Sequence, residues 1–206
     1  MSIKPLFDKY GCDKSKKHNY ETVYDIYFEP LRDKKINILE IGVYKGASSQ
    51  ALLDYFPKAT LYGVDIFTRK EMSSLEIYDN NRVHLLQSDS TDTSTSKKMS
   101  EEWTDVKFDI IIDDGAHWPK ANQDTFNVTF EFLKSNGVYF IEDVWPLHKM
   151  SEDEFKHPWI MKHQERYNIF KHFDFMDCIN ENTVKHHDCR KLSGEPDSYI
   201  LAVKRS

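Results

Sequence analysis

Two short acidic clusters carry most of the chemistry this sequence can offer. Asp113-Asp114-Gly115-Ala116-His117 follows the apolar run Ile110-Ile111-Ile112, and Glu142-Asp143 follows Phe140-Ile141. Carboxylates gathered at one place without basic neighbours repel each other unless a cation compensates. An all-oxygen donor set selects a hard ion, magnesium first, with calcium or manganese as substitutes. His117 stands three residues beyond Asp114, across a glycine. That is close enough to the same rim to accept a proton from a hydroxyl whose acidity the ion has raised. The competing reading makes these acids helix caps or hydrated rim residues.

A second group lies earlier in the chain. Ile38-Leu39-Glu40-Ile41 runs into Gly42-Val43-Tyr44-Lys45-Gly46, followed by the small residues Ala47, Ser48 and Ser49. Gly42 permits a tight turn and a close approach to a ligand, and Gly46 falls where a helix begins and its free N–H groups point outward. The spacing is not GxGxxG, which favours an E-x-G-x-x-x-G turn over a dinucleotide fingerprint. Asp65 stands 23 positions after Gly42, where an acid can accept both hydroxyl hydrogens of a ribose. Ser88-Asp89-Ser90 offers short polar side chains that could meet an adenine edge or equally cap a turn.

The elements that must position these groups are legible as alternation. Strands are expected over residues 36–41, 60–65, 83–87, 108–113 and 138–142, each ending on polar or acidic residues. Helices are expected over 20–29, 48–55, 94–103, 122–134 and much of 151–170. This alternation is that of a parallel sheet covered by helices, with ligands gathering beyond the carboxyl ends of the strands. Residues 174–180 and 198–204 read as a closing antiparallel pair. Between them, residues 181–197 hold His186, His187, Asp188 and Cys189 and read as a solvated hairpin loop, with a soft-metal site as the weaker alternative. The lysine-rich arm 1–19 has no clear period and reads as a tail or a lid. The expectation is an α/β, Rossmann-like doubly wound and mostly parallel seven-stranded sheet in one domain, 1–206, with residues 1–35 as arm and helix before the core.

Composition narrows the class. The chain has 206 residues, 39% hydrophobic and 30% charged, which suits a single globular domain with a real core. Its net charge of −6 argues against broad nucleic-acid binding. No apolar run reaches membrane-span length, and the first 13 residues lack the apolar core of a signal peptide. Cys12, Cys178 and Cys189 form no paired pattern, so free thiols and a cytoplasmic setting are expected.

Glu40-Ile41-Gly42 with Gly46, Asp65 and Asp89 resembles the cofactor site of class I S-adenosylmethionine-dependent methyltransferases. The resemblance implies that the glycine turn faces the methionine part of the cofactor, Asp65 holds the ribose, and Asp89 lies near adenine. Asp113-Asp114-Gly115-Ala116-His117 with Ile141-Glu142-Asp143 further resembles the metal-dependent sugar O-methyltransferases of macrolide biosynthesis, of the mycinamicin and macrocin type. Lys9-Tyr10-Gly11, Asp13-Lys14, His18, Tyr20, Tyr27-Phe28 and Pro30-Leu31-Arg32 look like the segment preceding the first strand in that family. The resemblance implies Asp114, Glu142 and Asp143 as magnesium ligands, His117 as general base, and Asp113 towards the cofactor.

The expected activity is therefore magnesium-dependent methyl transfer from S-adenosylmethionine to a hydroxyl of a sugar-containing small molecule. A catechol or other small vicinal diol as acceptor, and a nonenzymatic S-adenosylmethionine-binding module, are the alternatives. Trp118, Trp145, Trp159 and Tyr167 are candidate aromatic floors for the acceptor, with Trp145 preferred because it follows Glu142-Asp143. A homo-oligomer fits a family domain of this size, though no residue pattern marks an interface.

Overall fold

The computed structural model describes residues 1–163 and 184–206. Among these, seven strands form one sheet in the order β3-β2-β1-β4-β5-β7-β6. They are β1 (Asn37–Ile41), β2 (Thr60–Asp65), β3 (Val83–Gln87), β4 (Phe108–Asp113), β5 (Leu133–Ile141), β6 (Val184–Asp188) and β7 (Tyr199–Lys204). The first five are mutually parallel, and β7 runs antiparallel to both β5 and β6. Strand order reverses between β1 and β4, so the crevice outside their carboxyl ends is the ligand position of this architecture.

The strands are apolar on both faces because both are covered. Ile38, Ile110, Ile112, Val138 and Phe140 pack on one side against Ile3, Phe7, Tyr24, Phe28 and Leu52. Leu39, Ile111, Tyr139 and Ile141 pack on the other against Met99, Trp103 and Phe126. The first layer comes from α1 (Lys4–Tyr10), α3 (Glu21–Phe28) and α4 (Ala47–Tyr55), the second from α5 (Ser94–Glu102) and α6 (Pro119–Thr129). Between α1 and α3 lies the one-turn helix α2 (Asp13–Lys16). The arm thus folds onto the sheet: Ile3 and Phe7, one helical turn apart, are fully buried.

Several boundaries differ from expectation. The helix expected over 122–134 starts earlier, at Pro119, whose fixed φ and missing N–H suit a first helical turn. It ends by Thr129, and β5 already begins at Leu133. The long helix expected from residue 151 is, over the described part, a 3₁₀ turn at Glu154–Lys156 and a short helix, α7 (Pro158–Lys162). Pro158 cannot continue a preceding helix and starts a new one. The loop expected over 181–197 contains strand β6 and the short helix Arg190–Ser193. His186 and His187 alternate across that strand: His186 Nδ1 lies 3.0 Å from the Tyr199 hydroxyl, and His187 Nε2 lies 2.9 Å from the Tyr27 hydroxyl. Asp188 pairs with Arg190. These side chains diverge, as period two requires, instead of converging on a soft metal. The strand expected over 174–180, with Cys178 and Tyr167, lies outside the described residues. Cys12 and Cys189 are buried free thiols.

No described helix is long and apolar enough to cross a membrane.

Gly42 has φ +84°, and a Cβ placed there would lie 2.1 Å from the Asp114 carbonyl oxygen. The glycine therefore admits the end of β4 as well as the turn after β1. Gly42→Ala is expected to destabilise the protein by at least about 2 kcal/mol, from left-handed strain plus this collision. Denaturant unfolding of both proteins measures it, and an unchanged midpoint would show that the two strand ends are not so close.

Candidate active site

Strand alternation sorts the acids. Glu40, Asp114 and Glu142 occupy the same parity as Ile38, Ile112 and Phe140, so they face the layer that carries the arm. Asp113 shares parity with Ile111 and faces α6. The ladder continues one residue past each strand, since Asp114 N–H donates to the Ile41 carbonyl at 3.0 Å and Glu142 N–H to the Asp113 carbonyl at 2.9 Å. Asp143 would point to the opposite face, but its left-handed backbone, φ +52°, breaks the alternation. The Tyr20 hydroxyl holds it, accepting from Asp143 N–H at 3.1 Å and donating to Asp143 Oδ1 at 2.6 Å. His117 is also left-handed, φ +53°. Two such residues in one rim are backbone strain that the surrounding packing must sustain.

Asp114, His117 and Asp143 come together: each offers a ligand atom within 4.8 Å of the others. His117 Nε2 is 3.7 Å from Asp114 Oδ1. Glu142 does not join that group. Its Oε2 accepts from the Lys14 ammonium, which also donates to Asp114 Oδ2, and its Oε1 is buried without a partner. Lys14 is the residue that sequence reasoning missed. It is 2% exposed, an extreme burial for a lysine, and its ammonium supplies the counter-charge that the acids were expected to lack. Its only signal was its place in the Asp13-Lys14, His18, Tyr20 segment that carried the family resemblance. His18 completes that arm, with Nδ1 2.8 Å from Ser198 Oγ and 3.7 Å from Asp143 Oδ1.

The electrostatics follow from burial. Desolvation pushes Glu142 up to about 7, even though Lys14 opposes it. Burial likewise raises Asp114, against the pull of Lys14 and His117. For Asp143, burial is outweighed by His117, His18 and the Tyr20 hydrogen bond, and its carboxyl sits below the usual range. Burial would depress Lys14, but Asp114 and Glu142 hold it well above the ordinary lysine value. Removing one partner of such a buried pair typically costs about 3–5 kcal/mol.

A cleft of about 740 Å³ runs from this cluster to the glycine turn, lined by Gly42, Asp65, Asp89, Asp114, His117 and Asp143 among others. Asp65 accepts from Tyr44 N–H through Oδ2 and from Phe67 N–H through Oδ1, at 2.8 and 2.7 Å. These bonds fix the carboxylate and leave each oxygen a further lone pair for a ligand hydroxyl. Asp89 caps a turn, accepting from both Thr91 N–H and Thr91 Oγ1 through Oδ1. Glu40, Gly46, Asp113 and Glu142 are buried and do not line the cleft. Glu40 is buried and accepts from Ser49 Oγ, and burial raises its carboxyl. Gly46, φ +81°, is the residue before α4. Asp113 is gripped by Asn122 Nδ2 at 3.1 Å and Gly115 N–H at 3.2 Å. Of the aromatic candidates, Trp118 lines the cleft and stacks on Trp159, ring centroids 5.5 Å apart. Trp145 is buried with Leu147 and Ile160 instead.

A seven-stranded sheet whose order reverses between β1 and β4 and whose β7 closes antiparallel to β5, with an acid ending β2 and a glycine turn after β1, has the architecture of the class I methyltransferase fold. The chain belongs to the methyltransferase-domain family, whose profile matches residues 39–144. It is 32% identical over 152 residues to the 8-demethyl-8-(2-methoxy-alpha-L-rhamnosyl)-tetracenomycin-C 3'-O-methyltransferase of Streptomyces olivaceus, covering 70% of this chain and 36% of that protein. It is 30% identical over 135 residues to the mycinamicin VI 2''-O-methyltransferase of Micromonospora griseorubida, covering 62% of this chain and 32% of that protein. The chain thus spans about a third of the length of these curated relatives. Among solved structures, the MycE methyltransferase from the mycinamycin biosynthetic pathway, in complex with Mg, SAH and mycinamycin VI, superposes with a TM-score of 0.72 at 23% identity. That match covers the whole of this chain and 55% of the other, and it establishes the fold.

Burial pushes the Asp113 carboxyl up to about 6. A raised carboxyl contributes stability that is fully present below its unfolded value near 4 and is lost as pH rises through about 6. The stability of Asp113→Asn relative to wild type should therefore climb between about pH 4 and pH 6 and level off above. Thermal melting across that range checks the sign, and a pH-independent difference would contradict it.

Proposed function

We propose that the protein transfers a methyl group from S-adenosylmethionine to a hydroxyl of a sugar-containing small molecule, with magnesium at the carboxylate cluster. The observation that carries this reading is the single cleft joining Asp65 and Asp89 at one end to Asp114, His117 and Asp143 at the other. A donor held at the first end would direct its reactive end towards the second. The relatives named for O-methylation of a rhamnosyl tetracenomycin and of mycinamicin VI support a glycosylated acceptor.

The residues present suit both groups. Asp65 offers fixed carboxylate oxygens for a ribose, and Asp114 and Asp143 offer hard carboxylate oxygens for a divalent ion, with the His117 imidazole beside them as the proton acceptor. Buried, unpartnered Glu142 Oε1 is an acceptor without a donor, as a place next to a cation would leave it. S-adenosylmethionine supplies a sulfonium-activated methyl group, and a divalent ion supplies positive charge that makes a neighbouring hydroxyl more acidic.

The chain's own residues do the remainder. His117, 34% exposed at its side chain, faces the cleft and accepts the hydroxyl proton at Nε2. The carboxylates of Asp114 and Asp143 stand beside it to offset the imidazolium charge. Trp118 gives the cleft an aromatic wall against which a sugar face can lie, excluding water on that side. Alignment of acceptor oxygen, methyl carbon and sulfur is the principal demand, and positioning of this kind can lower a barrier by several kcal/mol.

Calorimetric titration with S-adenosylmethionine, with and without magnesium, tests the donor half. Binding to wild type that is lost in Asp65→Ala is expected, and no binding to wild type under either condition would sink the reading. On a sugar acceptor, His117→Ala should lower kcat by roughly 10²–10⁴-fold while leaving donor affinity nearly unchanged. Unaltered turnover would remove His117 as the base. Chelation of divalent ions should abolish turnover, and full activity in chelator would remove the metal.

A further inference from the structure

Lys14 makes the acid cluster unusual. Asp114 and Glu142 accept from one buried ammonium and Asp143 stands beside Asp114, so carboxylates outnumber the lysine that serves them. Asp114 is shared between two partners: Oδ2 accepts from Lys14, and Oδ1 lies 3.7 Å from His117 Nε2 on the cleft side. Glu142 is held by Lys14 through Oε2, and the second oxygen is left buried and unpartnered. The arm that delivers this ammonium is anchored in the core by Ile3 and Phe7, so the charge is a fixed part of the site.

We propose that the Lys14 ammonium and a divalent ion are competing counter-charges for one carboxylate cluster. Lys14 is then a positioning residue: it holds Asp114 and Glu142 together when no ion is bound and weakens the ion's grip when one is. This inference rests on the metal reading above. Its physical basis is that like charges sharing a carboxylate in a poorly solvated site repel strongly, so each cation lowers the affinity for the other. A Lys14 that only propped the fold, or that prepared the ligands for the ion, would give no effect or the opposite one.

The test is Mn²⁺ titration followed by electron paramagnetic resonance at pH 8, paired with melting temperatures with and without Mn²⁺. Wild type is compared with Lys14→Met, which keeps the side-chain length, Lys14→Gln, which keeps a hydrogen-bond donor, and Lys14→Arg, which keeps the charge. Both neutral variants should bind Mn²⁺ about tenfold tighter or better, and Mn²⁺ should raise their melting temperatures more than that of wild type. Lys14→Arg should stay near wild-type affinity. Binding by the neutral variants alone, or folding of those variants only when Mn²⁺ is present, would equally support the competition. Equal or weaker Mn²⁺ affinity in the neutral variants, with wild type binding normally, overturns the proposal and leaves the metal reading standing. Neutral variants that stay unfolded even with Mn²⁺ overturn it too. No Mn²⁺ bound by any of the four proteins overturns both.

Discussion

Like charges buried at the end of a sheet must be neutralised, and that constraint organises this protein. Asp114 and Glu142 emerge on the same face of adjacent strands, with Asp143 turned in beside them. The protein answers with an ammonium drawn from the far N-terminal arm, 100 residues of chain from Asp114 and 128 from Glu142. To deliver it, α1 must be seated in the core, α2 must place Lys14 inward, and Tyr20 must brace Asp143. The arm is consequently as much a part of the candidate active site as the strand ends are. Carboxylates still outnumber that ammonium, and this surplus is what the proposed divalent ion would offset.

The donor end of the cleft follows a different logic. There the backbone does the shaping: Gly42 lets the turn after β1 pass the end of β4, and Asp65 is locked by two N–H groups of its surroundings. Fixed carboxylate oxygens cost no reordering when a ligand hydroxyl arrives, which favours binding. The two ends differ in that one is held by main-chain hydrogen bonds and the other by side-chain ion pairs. A single cleft links them.

Much of this was legible in the sequence, for reasons that can be named. Buried parallel strands are apolar on both faces, so Ile110-Ile111-Ile112 and its counterparts stand out, and acids directly after them must lie at the carboxyl rim. The terminal strand β7 was legible as a strand-like run, whereas its edge partner β6 lies in the stretch read as a loop. Parity along β4 and β5 separates Asp113 from Asp114 and Glu142. Three further things were not legible. The left-handed turn at Asp143 depends on Tyr20, a distant partner. The burial of Trp145 with Leu147 and Ile160 depends on the path of the chain after β5. Lys14 is one lysine in a lysine-rich arm, and nothing local distinguishes a lysine that neutralises buried acids from one that faces solvent. Only tertiary packing makes that choice.

The central claim is that one cleft holds an adenosyl donor beside a carboxylate–histidine cluster that takes a divalent ion. Diffraction from crystals grown with S-adenosylhomocysteine and Mn²⁺, recorded at the manganese absorption edge, addresses it most directly. The account predicts one strong anomalous peak at the Asp114 and Asp143 carboxylates, beside His117, with the ribose of the ligand at Asp65. An anomalous map without a peak at that cluster, or an adenosyl group seated away from Asp65, would contradict it.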